Sequence, residues 1–447
     1  MKITALARNK LSLGFAAFAV IKEVRNNLSS SSGITSSLQP QERFVIGRLD
    51  FSTFRLIINL HGQIGVKVLA AVVLATAILV GQLAQASSDW SLMQSESNPP
   101  SRRSHSMTYE PEHDVVVVFG GYGNGSHLGD TWVLDLETRE WRDMKPQVAP
   151  SPRAATTMVY DPDSERMVLF GGFAVGHSIV SNQTWAYSYA NNTWTDLGPD
   201  NAPSERASYG MAYDSKRHLM VLFGGFTEQG YHNDTWIFDP AENSWKELQI
   251  DGEVPAARGA MGFVYQAAND VFTMFGGFSD RGFFKDTWTL DLNTATWSRA
   301  DPNNSPAPIR TRMVHDVTSG NSYFFGGDVI PPESEEGAPE PYAGTWVYGP
   351  DGNWSQLDIG NNPPARSLNG IIVDAHGRLV IFGGTDTLID DQNFLGREFH
   401  DTWILDPRSQ DDQSSSIFPV LPVGIGAVIA SVIAAIVLTR KKRKQNS

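Results

Sequence analysis

Val115-Val116-Val117-Val118-Phe119-Gly120-Gly121, with Thr131-Trp132 beyond it and Trp141 beyond that, is the stretch on which the fold turns. A short apolar, β-branched run closed by glycine reads as a buried strand entering a turn. The same marks return five more times. Double glycines begin at Gly120, Gly171, Gly224, Gly276, Gly326 and Gly383, at spacings of 51, 53, 52, 50 and 57 residues. Thr-Trp recurs at Trp132, Trp185, Trp236, Trp288, Trp346 and Trp403, and a lone tryptophan follows at Trp141, Trp194, Trp245, Trp297 and Trp354. Upstream of each double glycine stand an arginine and a strand-like stretch, as in Arg153-Ala154-Ala155-Thr156-Thr157-Met158-Val159-Tyr160. Each unit therefore predicts four short strands, and a fixed period of this length marks a repeat architecture.

The Phe-Gly-Gly, the aromatic residue about a dozen positions later and the tryptophan after it resemble kelch repeats, and they cover about three quarters of the chain. The resemblance implies an all-β, six-bladed kelch-type β-propeller, each repeat being one four-stranded blade around a central channel. The sixth repeat has no lone tryptophan of its own, because Asp412 stands in its place. Twelve tryptophans fill six units of two only if Trp90 counts, and Trp90 precedes Arg102 by 12 residues just as Trp141 precedes Arg153. A strand over 89–93 is therefore expected to complete blade six of a propeller spanning 87–411, which removes two unpaired sheet edges.

The ends read differently. After Lys67, the apolar run Val68 to Val80 followed by Ala84-Gln85-Ala86 has the layout of a signal peptide over 66–86. Residues 1–65 show no period, and translation from Val66, a valine codon serving as start, is the expectation. After a linker over 412–416, residues 417–439 carry no charge and Arg440-Lys441-Lys442-Arg443-Lys444 follows, which predicts a single transmembrane helix with a cytoplasmic basic tail over 440–447. The propeller would then lie outside the cell.

Composition narrows the function classes. The formal charge is −14, and without the basic ends the remaining 87–439 carry −25, which argues against a nucleic-acid partner. With no cysteine there is no disulfide, no thiolate metal site and no Tyr–Cys radical cofactor of the kind galactose oxidase, a kelch enzyme, requires. No cofactor or metal is expected. His127, His177, His232 and His400 fall in equivalent loops but lack the i, i+4 spacing of a helical zinc motif.

The resemblance further implies that ligands meet the loop entering each blade's first strand and the loop after the double glycine. The first set carries Arg103, Arg153, Arg206, Arg258, Arg310 and Arg366, with Arg102 and Arg312 as extra candidates, any of which would hold a carboxylate or sulfate bidentately. An arginine in every repeat is better explained by a job done in every repeat, so the same arginines read first as bridges between neighbouring blades through backbone carbonyls or an acidic side chain. The second set carries Tyr122, Phe173, Phe226 and Phe278, platforms for sugar faces or partner side chains or else core groups. Asp328–Gly344 and Thr385–Asp401 are long loops of 17 residues each, where the first four blades have 9, 11, 9 and 9. The first is stiffened by Pro331, Pro332, Pro339 and Pro341, the second bears Phe394, Leu395 and Phe399, and together they predict a recognition ridge on one side of the mouth. Asn124, Asn182, Asn191, Asn233, Asn303 and Asn353 open potential glycan-acceptor triplets. The reading is a cell-surface module binding protein or glycan. Its rivals are an enzyme resembling the kelch sialic-acid epimerase, with Glu335, Glu336, Asp390 or Asp391 as acid or base, and a structural surface-layer component.

Overall fold

The computed structural model describes residues 89–174, 180–307, 309–330, 339–386 and 396–407. The predicted signal peptide and transmembrane segment both lie outside the described residues. Among those that are described, no helix is long and apolar enough to cross a membrane.

The described residues form strands, and six four-stranded antiparallel sheets follow the six repeats. Sheet one comprises Ser106–Glu110, Val115–Gly123, Ser126–Asp135 and Glu140–Asp143, and sheet two Thr157–Asp161, Arg166–Phe170, Thr184–Ser188 and Thr193–Asp196. Sheet three comprises Gly210–Asp214, Leu219–Thr227, Gly230–Asp239 and Ser244–Glu247, and sheet four Gly262–Gln266, Val271–Phe275, Thr287–Asp291 and Thr296–Ala300. Sheet five holds Val314–His315, Ser322–Phe325, Thr345–Tyr348 and Trp354–Gln356. Sheet six holds Gly370–Val373, Leu379–Phe382 and Thr402–Leu405, and its fourth strand is Ser91–Met93, in register Ser91 to Ile404 and Met93 to Thr402. Kelch repeats arranged as such meandering sheets make a β-propeller.

The second strand of each sheet is mostly apolar because it is covered on both faces; Val115 to Phe119 are at most 1% exposed. In sheet one its pairing shifts register at the double glycine, between Phe119 and Gly121, where both glycines have positive φ, 65° at Gly120 and 102° at Gly121. A Cβ on Gly121 would also stand 2.8 Å from the Arg103 carbonyl oxygen, so only glycine lets the segment that enters the sheet approach so closely.

The core lies between sheets rather than inside them. Six apolar clusters each join one sheet to the next, and the cluster of Val116, Val118, Leu134 and Trp141 with Ile372, Val380 and Phe382 joins sheet one to sheet six. The lone tryptophan of each sheet also donates its indole N–H to the threonine of the neighbouring, preceding sheet's Thr-Trp. Trp194 bonds Thr131 (2.9 Å), Trp245 bonds Thr184 (3.1 Å), Trp297 bonds Thr235 (3.4 Å) and Trp354 bonds Thr287 (3.2 Å). Trp90 takes the same place for sheet six, bonding Thr345 at 3.0 Å, and Trp141 of sheet one bonds Thr402 of sheet six at 3.1 Å.

Candidate functional site

The repeated arginine is the first residue to place. Arg102, Arg206, Arg258 and Arg366 are at most 1% exposed and make the same bonds. In Arg102, Nε donates to the Pro100 carbonyl (3.1 Å), Nη1 to the Gly120 carbonyl (3.0 Å), and Nη1 and Nη2 grip both oxygens of Asp130 at 2.7 Å. Asp234, Asp286 and Asp401 complete the other three clamps. Each carboxylate also accepts the indole N–H of the tryptophan two residues on, at 2.7 Å from Trp132, Trp236, Trp288 and Trp403. Burial pushes these carboxyls up, but the arginine's bonds and charge, with the indole bond, outweigh it and hold all four below the usual range. The arginine's carbonyl meanwhile accepts the second-glycine N–H of the preceding repeat, as Gly225 to Arg258 at 2.9 Å and Gly384 to Arg102 at 2.8 Å.

These guanidinium groups are therefore consumed inside the fold, and the ligand-holding role set out for Arg153, Arg206, Arg258 and Arg366 does not match where they lie. In sheet one the clamp residue is Arg102, not Arg103. Arg103 instead pairs with Glu398 and covers the Tyr122 ring at 4.5 Å. In sheet two Arg153 meets a neutral partner, Gln183 Oε1, at 2.8 Å, and burial without a counter-ion pushes it down to about 10. In sheet five the clamp position is Ile309, whose carbonyl receives the Gly277 N–H at 2.8 Å. Arg310, one residue on, pairs with Asp328 at the base of the first long loop.

The residues after the double glycines do come together. Phe173 and Phe226 have ring centroids 6.1 Å apart; Tyr231 lies 5.3 Å from Phe226 and 5.7 Å from Phe278; and Phe283 lies 5.1 Å from Phe278. All five rings are half-buried. Arg310 stands 5.9 Å from both Phe278 and Phe283, so the arc that begins on sheet two ends on a cation at sheet five. Beyond it, on sheets one and six, lie Tyr122, Arg103 and Glu398.

The long loops give a mixed result. Phe394, Leu395, Pro331, Pro332, Glu335, Glu336, Asp390 and Asp391 lie outside the described residues. Phe399 does not belong to an exposed ridge: it is 5% exposed and packs between the Arg366 and Arg397 guanidinium groups, 4.0 and 4.5 Å from its ring. Phe284 covers Arg258 in the same way at 3.8 Å, which makes Phe399 part of the repeat's frame. The loop histidines stay apart, His127 edge-on to Tyr122 and His232 bonded to Thr227 Oγ1 at 2.9 Å; His177 lies outside the described residues. Among the described residues no three metal-ligating side chains converge. Sequence reasoning did not single out Asp130, Asp234, Asp286 and Asp401, although an aspartate directly before Thr-Trp is visible in four repeats. It also left out Tyr231 and Phe283, whose membership in the arc depends on neighbouring repeats.

The family model described as the KLHDC2/KLHL20/DRC7 Kelch-repeats domain matches residues 80–266 and again 242–433. Among curated proteins, the chain is 26% identical over 262 residues to the dynein alpha chain of the flagellar outer arm of Chlamydomonas reinhardtii, covering 53% of this chain and 6% of that protein. It is 29% identical over 229 residues to acyl-CoA-binding domain-containing protein 4 of Arabidopsis thaliana, covering 48% and 33%. With multiple epidermal growth factor-like domains protein 8 of Mus musculus it shares 27% over 250 residues, 52% and 9%. The matched segments thus span a third or less of each of these relatives.

Proposed function

This chain belongs to the kelch-repeat family, and we propose that its six sheets make a closed six-bladed propeller working as a protein-binding module, with the partner seated on the post-glycine face. Closure is supported by the pairing of Ser91–Met93 with Thr402–Ile404, and by bonds of Trp90 and Trp141 that repeat between sheets five, six and one what the other sheets do among themselves. The binding reading rests on one observation, the half-buried aromatic arc from Phe173 to Phe283 ending on Arg310. Half-buried rings offer apolar area at little entropic cost, and aromatic and arginine anchors are enriched where proteins meet. The placement that fits the sequence is the outside of a membrane, with residues 417–439 as anchor and the basic tail inside.

The test is cross-linking on cells carrying the full chain, comparing wild type with Tyr231→Ser and Phe278→Ser, with a glycan array probed in parallel. The expected result is a discrete protein adduct that falls at least tenfold in both variants while their melting temperatures stay close to wild type. Equal adduct yield in the variants rejects the arc as the site. A glycan that binds wild type and not the variants replaces protein by glycan as the ligand.

A further inference from the structure

The central channel holds a cation that the repeat does not call for. In five of the six sheets the residue before the first strand's layer lies in the left-handed region, with φ of 54° at Ser104, 55° at Ala155, 59° at Ser208, 53° at Ala260 and 55° at Leu368. The residue that follows is His105, Thr156, Tyr209, Met261 or Asn369, and in sheet five it is Arg312. Five repeats therefore fold with an uncharged group at this place, since His105 is kept neutral by burial and by the charges of Arg102 and Arg312. Arg312 reaches from sheet five to the opposite sheet two, where Nη2 donates to the Thr156 carbonyl at 3.0 Å.

That bond uses one of five guanidinium donors. No carboxylate among the described residues pairs with Arg312, in contrast to Arg102, Arg206, Arg258 and Arg366. The group lines a cavity of about 470 Å³ that runs along the channel, a volume ordinary for a small-molecule site. No aspartate or glutamate is among the described residues of its wall. The hydroxyls of Ser104, Ser208 and Thr311 border it, with Met107, Met158 and Met211 supplying apolar wall. The cavity also reaches Val317, which is 76% exposed, so a ligand has a way in. Burial pushes the guanidinium down to about 10, so at neutral pH it remains charged.

We propose that the channel is a binding site for a small organic carboxylate, held by its carboxyl group on Arg312 with its apolar body against the methionine wall. A planar guanidinium with free donors matches a carboxylate bidentately, and a low-dielectric wall strengthens that bond. The cavity also touches Arg310, the last member of the aromatic arc, but that guanidinium is paired with Asp328, and the proposal rests on Arg312 alone.

The experiment is isothermal titration of the full chain with sodium acetate, sodium butanoate, butan-1-ol and inorganic phosphate. The expected result is saturable one-site binding of butanoate, tighter than acetate, with butanol and phosphate at least tenfold weaker. Arg312→Met should weaken butanoate at least tenfold and Arg312→Lys by less, with both variants still melting cooperatively. Absence of saturable carboxylate binding to wild type, or unchanged affinity in a folded Arg312→Met, overturns the proposal. So does phosphate or butanol binding as tightly as butanoate, a comparison that needs only wild type and survives a variant that fails to fold.

Discussion

Sheets four and five build the same corner of the repeat in opposite ways. In sheet four Arg258 grips Asp286, which accepts the Trp288 indole N–H. In sheet five Ile309 stands for the arginine and Gly344 for the aspartate, and the Trp346 indole bonds the Tyr342 hydroxyl instead at 3.1 Å. Ile309 is 1% exposed and packs with Phe275, Phe324 and Trp354. Charge is lost from both partners together, and the indole keeps an acceptor. The lesson is that a buried ion pair can be exchanged for apolar packing as a set, whereas losing one member strands the other. Sheet two shows the half-way case. Gln183 replaces the aspartate, Arg153 keeps its charge, and the Trp185 indole N–H is buried without an acceptor among the described residues.

The largest effect expected from this contrast is in sheet four. Asp286→Ala should cost about 3–5 kcal/mol in urea unfolding, because Arg258 is left buried and uncompensated. The set Arg258→Ile, Phe284→Tyr and Asp286→Gly, which copies sheet five, should recover all but about 1–2 kcal/mol of that. A triple variant as unstable as the single one would show that the exchange is not what lets sheet five fold.

A loss of similar size is expected at the junction of sheets five and six. Trp90→Ala should cost about 3–5 kcal/mol, since Trp90 is 1% exposed and packs on Phe325. Trp141→Ala is its counterpart between sheets six and one. If only Trp141→Ala lowers the melting temperature, the ring is not closed through Trp90.

Gln183→Asp should act in the other direction, raising stability by about 1–2 kcal/mol, because it supplies Arg153 with a counter-ion and Trp185 with an acceptor. An unchanged or lower urea midpoint would mean that sheet two is tuned to the neutral partner. The smallest effect is the pH dependence of the four clamps. Their carboxyls sit below the unfolded value of about 3.9, so the stability they contribute is complete above that value and is lost as pH falls through the lower folded values. Thermal melting followed from pH 7 to pH 2 should fall away below about pH 4, and the fall should be shallower in Asp286→Ala.

The repeat, its four strands and the sheet that Ser91–Met93 joins were legible in the chain because each rests on a local mark at a fixed spacing: a glycine pair, an apolar run, a tryptophan. The clamp was legible in part. Arg102, Arg153, Arg206 and Arg258 lie 18 residues before the carbonyl they bond, and Arg366 lies 17 before its own. Counting back 18 from the double glycine thus picks Arg102 over Arg103, and the count of 17 seen in sheet six reaches Ile309, not Arg310, in sheet five. Arginine identity alone points to the wrong neighbour in both sheets. Successive residues of an extended chain face opposite ways, so a shift of one decides whether a guanidinium enters the clamp, as Arg102 does, or reaches the face, as Arg103 and Arg310 do.

What the sequence by itself determined is the period, and with it the set of sheets, because strand and turn chemistry act over a few residues. Only the tertiary structure decided that Phe399 is covered by two arginines, that Tyr231 joins Phe226 to Phe278, and that Arg312 spans the channel to Thr156. Each of those contacts is made with a residue of another sheet or a distant turn. No local pattern encodes such a meeting, because the partners are neighbours only once the sheets have packed against one another.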